Sequence, residues 1–99
     1  MPKKSYSDDT PYEPEFWEMM KNRMKMGRHR YGPLDERNVI KYDIIKSLKK
    51  RLRAYEESGN TEFLVDVANF AMMEYLFPMH PDAHFKATDH SESPGSVLA

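Results

Sequence analysis

The stretch from Thr61 to Phe77 constrains this chain more than any other. It contains Phe63, Leu64, Val65, Val67, Ala68, Phe70, Ala71, Met72, Met73, Tyr75, Leu76 and Phe77, so it is apolar nearly all round. A helix of that composition is buried on most of its sides. In a chain of 99 residues only two further helices are available to cover it, and a domain this small buries a modest fraction of its surface. There is no cysteine, so neither a disulfide nor a thiolate metal site supplies the missing stability. Association with a second copy remains, and the expected architecture is all-α: three main helices with a central helical hairpin, completed as a helical bundle by homo-oligomerisation.

The other helices are read from their stop and start signals. Pro14 suits a first helical turn, Glu15 and Glu18 favour the positive end of the helix dipole, and Phe16, Met19, Met20 and Met24 recur at helical spacing. Gly27 is read as the cap that ends this helix, with Gly32-Pro33 barring its continuation. Asp35 is a suitable N-cap for a second helix reaching about Tyr55, with Ile40, Ile44, Leu48, Leu52 and Tyr55 as its apolar stripe. Arg51 falls about 20° from Ile40 in helical projection, inside that arc, which predicts an anionic partner for it. Ser58-Gly59-Asn60 ends this helix and starts the third, with Asn60 or Thr61 as cap, making a tight hairpin. Residues 1–12 read as a flexible arm, residues 13–85 as the helical domain and residues 86–99 as an irregular tail.

Charge is nearly balanced at a net -1, but it is distributed in blocks. Residues 1–20 carry two basic and five acidic side chains, residues 21–32 five basic and none acidic, and residues 60–77 three acidic and none basic. That pattern suits elements that attract one another, or an anion pocket made from the middle of the chain, better than a uniform nucleic-acid face. No run of about 18 apolar residues is present and the first residues lack an apolar leader core, so the expectation is a cytoplasmic protein with no membrane partner.

The candidate chemistry begins with Glu62, Asp66 and Asn69, which lie within about 60° of one another on the third helix and form a polar stripe on a buried rod. One reading pairs Asp66 or Glu62 with Arg51 across the hairpin, with Asn69 completing the network. Another makes the carboxylates ligands of Mg²⁺, which takes one or two of them and leaves the rest of its shell to water and substrate phosphate. Between Lys21 and Tyr31 lies the densest basic cluster. It is either a solvated helix end or a phosphate contact, with Arg28 and Tyr31 as the ligand candidates. His80 and His84, with Asp82 between them, have spacing conceivable for zinc or nickel, against the alternative that Met79, Ala83 and Phe85 pack the tail onto the bundle. Nucleophilic catalysis by cysteine, a G-x-S-x-G elbow and a phosphate-cradling glycine-rich loop are all absent.

The run Asp66-Val67-Ala68-Asn69-Phe70-Ala71-Met72-Met73, on the second helix of a tight hairpin, resembles the all-α nucleoside-triphosphate pyrophosphohydrolases, the MazG-like and dimeric dUTPase-like superfamily, in its small phage-type versions. The resemblance covers about residues 36–77. It implies a helical bundle, a nucleotide ligand and Mg²⁺ held by E-x-x-E and E-x-x-D motifs, with water attacking between the α and β phosphates. Asp66 matches the aspartate of the second motif, but Phe63 stands where that motif has glutamate, and Glu62 is the nearest acid. The first motif is replaced by the basic run Lys46-Ser47-Leu48-Lys49-Lys50-Arg51, with Asp43 as the carboxylate nearby.

Two forms of nucleotide protein follow from this resemblance. One is a degenerate Mg²⁺-dependent pyrophosphohydrolase using Glu62 and Asp66, with Asp43 as a third metal ligand. The other is a non-catalytic binder that sequesters a nucleotide or related phosphorylated molecule between the second and third helices. Its contacts would come from Lys46, Lys50, Arg51 and Asn69. The alternatives are an adaptor or inhibitor offering its apolar helix to a foreign protein, and a small nucleic-acid module on Lys21 to Arg30.

Overall fold

The computed structural model describes residues 13–88, and the expected arm of residues 1–12 and the tail beyond residue 88, His90 included, lie outside them. Four helices appear in this span: α1 Pro14–Tyr31, α2 Glu36–Val39, α3 Ile44–Ser58 and α4 Glu62–Leu76. No strand is found among the described residues, and none of their helices is long and apolar enough to cross a membrane.

α1 starts with Pro14 at its first position, where the missing N–H costs nothing, and the Glu13 carboxylate accepts a hydrogen bond from the Glu15 N–H at 3.0 Å. It does not stop at Gly27. The helix continues for four more residues and ends at Gly32, whose φ of 90° is a conformation open to glycine and whose N–H donates to the Arg28 carbonyl at 3.0 Å. Without a proline or a competing side chain after it, Gly27 weakens the helix locally but does not break it.

The second expected helix is two. Asp35 caps α2 as expected, accepting from the Asn38 N–H at 3.0 Å. The chain then leaves the helix at Ile40 to Tyr42 and restarts with Asp43 as a second N-cap, which accepts from the Lys46 N–H at 3.0 Å. The apolar period of Ile40 and Ile44 hid this break. Ile44 is buried, whereas Ile40 is 64% exposed, because the interruption rotates it off the inner face.

α3 and α4 form the hairpin. Gly59 caps α3 in the left-handed region at φ 74°, its N–H donating to the Tyr55 carbonyl at 2.7 Å. The Asn60 side chain accepts from the Glu62 N–H at 3.1 Å and so opens α4. α4 is the hub: α3 packs along its length, and α1 crosses it over a shorter stretch. Its burial within one chain is incomplete. Val39, Ile44 and Val65 are the buried apolar side chains among the described residues, while Tyr75, at 70% exposed, and Leu76 face outward.

Candidate functional site

Because α1 and α3 both lean on α4 and have little direct contact with each other, a wedge opens between them. α2 and the turn after it roof one end. The result is a cavity of about 450 Å³, within the range of small-molecule sites. The C-terminal half of α1 supplies Arg23, Arg28, Arg30 and Tyr31 to its wall, and the start of α3 supplies Ile44, Ser47, Lys50 and Arg51. The floor is α4, with Asp66, Asn69, Phe70 and Met73 at helical spacing.

Two candidates that were separate in the sequence therefore meet. Arg28 and Tyr31, from the basic cluster, line the same cavity as Lys50, Arg51, Asp66 and Asn69 from the hairpin. Lys46, Glu62 and Asp43 do not line it. Arg23 and Arg30 join as further cations, and Tyr42 and Phe70 as aromatic groups that the sequence reading did not single out. Tyr42 had no signal as a site residue, because the α2–α3 turn that swings it round was not visible. It now makes an edge-to-face pair with Tyr31, ring centroids 5.8 Å apart, which closes one end of the wedge. Asn38 ties the same corner together, donating from Nδ2 to the Pro33 carbonyl at 2.7 Å.

Among the described residues, five cations and one carboxylate line this cavity. Two of the cations have partners. Arg51 Nε lies 3.3 Å from Asp66 Oδ2, the anionic contact expected for it, and Arg23 pairs with Glu62 from the α1 side. Arg28, Arg30 and Lys50 make no ion pair among the described residues. The cavity thus carries an uncompensated positive charge on a lining that is otherwise largely apolar, a combination that attracts an amphiphilic anion.

Asn69 departs from its expected place in the Arg51–Asp66 network. Its Nδ2 donates to the Met20 carbonyl of α1 at 3.1 Å, joining α1 to α4, and the residue is only 4% exposed. That bond fixes which way the amide points and leaves Oδ1 buried with no hydrogen-bond partner. An unsatisfied buried acceptor costs roughly 1–3 kcal/mol, so its presence beside a cavity calls for an explanation.

The three carboxylates weighed as Mg²⁺ ligands each have another partner. Asp43 caps α3, Glu62 meets Arg23 and Asp66 meets Arg51. Among the described residues no group of three or more His, Asp or Glu side chains is placed to hold a metal ion. His80 and His84 are occupied by their own turn. His80 Nδ1 accepts from the Asp82 N–H at 2.9 Å, and His84 Nδ1 lies 2.9 Å from the Asp82 carbonyl. Phe85 touches Tyr75 edge-to-face at 6.5 Å yet stays 83% exposed.

Comparison with protein-family models, with curated proteins and with solved structures finds no match to this chain.

Proposed function

We propose that this protein is a non-catalytic binder of a nucleotide or related phosphorylated small molecule, held in the wedge between α1, α3 and α4. The carrying observation is the imbalance of the lining, five cations against one carboxylate, with Arg28, Arg30 and Lys50 left to meet an anion from outside. Arg can grip phosphate oxygens in pairs and Lys neutralises them as a point charge. The likeness of the Asp66–Met73 run to MazG-like enzymes supports the same ligand class. The engagement of Asp43 as a helix cap and of Glu62 and Asp66 with arginines favours binding over hydrolysis.

The test is equilibrium binding of a panel of nucleoside triphosphates, with and without Mg²⁺, alongside chromatography for monophosphate products. Saturable binding that weakens with salt and falls roughly 5- to 20-fold in Arg28→Ala and in Lys50→Ala is the expected result. No binding across the panel, or binding indifferent to both substitutions, refutes the assignment. Monophosphate formation that disappears in Asp66→Asn would replace binder by pyrophosphohydrolase.

The protein also self-associates on this reading. Among the described residues three buried apolar side chains make a slight core for a helix as apolar as α4, and a second copy against the outward face at Tyr75 and Leu76 would complete it. Sedimentation equilibrium is expected to give a symmetric oligomer. A monomer at micromolar concentration would favour a foreign protein as the partner of that face.

A further inference from the structure

Gly27 sits inside α1, where glycine is the least favourable residue after proline. The usual reason for such a glycine is close packing against a neighbouring helix, and that reason fails here. A Cβ built at Gly27 meets no atom within 4 Å, and the backbone there is ordinary helix with no positive φ. The fold therefore does not need glycine at this position. The open space in front of it belongs to the cavity, which Gly27 lines together with Arg23 and Tyr31, one turn to either side.

Across this space, on α4, lie Phe70 and Met73. A bare stretch of helix backbone opposite an aromatic ring is a slot for a flat group.

We infer that Gly27 opens a slot for a nucleobase, whose ring lies between the α1 backbone and Phe70, while the phosphates meet Arg28, Arg30 and Lys50. This rests on the phosphate-binding reading above and deepens it, dividing the cavity into a base zone and a phosphate zone. Gly27 is then the position that determines whether a nucleotide or only its phosphate chain is accepted.

The experiment compares three ligands: inorganic triphosphate, adenosine triphosphate and guanosine triphosphate. In the unaltered protein at least one of the nucleotides is expected to bind tenfold or more tightly than inorganic triphosphate. Gly27→Leu, which fills the slot, is expected to abolish that advantage and leave inorganic triphosphate binding unchanged. Should Gly27→Leu lose helicity by circular dichroism, Gly27→Ala carries the same test, because its Cβ enters open space, and a selective loss of several-fold is expected. Equal binding of nucleotide by the variant and the unaltered protein overturns the slot and leaves the phosphate site standing. So does equal binding of inorganic triphosphate and the nucleotides by the unaltered protein. Failure of all three ligands to bind refutes the phosphate site itself.

Discussion

Replacing Asn69 by Leu sets the hydrogen bond its amide nitrogen makes against the buried oxygen it leaves unsatisfied. In the free protein the substitution removes one neutral hydrogen bond, from Asn69 Nδ2 to the Met20 carbonyl, a net loss of about 1 kcal/mol. The Met20 carbonyl does not become an orphan, since it lies inside α1 and keeps its helical N–H four residues on. The same substitution removes the unsatisfied Oδ1, relieving roughly 1–3 kcal/mol, and places an apolar group of similar size against Phe70 and Met73. The gains exceed the loss, and Asn69→Leu is expected to be more stable than the original protein by about 1–2 kcal/mol. With a urea m-value on the order of 1 kcal/mol/M, the unfolding midpoint should rise by about 1 M. A variant less stable than the original by 1 kcal/mol or more would refute the reasoning and make Asn69 a structural tie between α1 and α4.

The two glycines at 27 and 59 should respond to alanine with opposite signs. Gly27→Ala stabilises by about 0.5–1 kcal/mol through helix propensity in open space, and Gly59→Ala destabilises by about 1–2 kcal/mol because its φ is 74°, both read by thermal unfolding. Asp43→Ala should cost about 1 kcal/mol through loss of the cap on α3, with no change in nucleotide binding; a binding defect would return Asp43 to the site. A double-mutant cycle on Arg51 and Asp66 should give a coupling below about 1 kcal/mol, since the arginine is half exposed, and a larger value would mean a drier contact than the cavity geometry implies.

The helices, the hairpin at residues 58–60 and the Arg51–Asp66 pair were legible in the sequence because each depends on local composition and spacing. Gly59 with Asn60 is a stop joined to a start, and either residue alone suffices as a signal. Gly27 was misread as a stop because glycine weakens a helix wherever it stands, and only the residues after it decide whether the helix ends. The break before α3 was hidden by isoleucines that keep the helical period across it. The signal that could have revealed it was Asp43 as a cap, but Asp43 was weighed as a metal ligand. The cavity depends on how α1 crosses α4, a long-range property that periodicity does not encode. For that reason Arg28 and Lys50 were found as members of two separate sites. The membership of Arg23, Arg30, Tyr42 and Phe70 waited on the fold.

The unequal attachment of the helices to α4 has a consequence for the order of assembly. The α3–α4 hairpin is closed by a three-residue link and held by contacts near in sequence, so its formation involves little loop-closure entropy and should come early. α1 reaches α4 through pairings about forty to fifty residues apart, such as Arg23 with Glu62 and Met20 with Asn69, and should dock last and release first. The wedge does not exist until that docking is complete. A molecule bound there bridges the early unit and the late one, and would hold in place the helix that otherwise exchanges its amide hydrogens soonest.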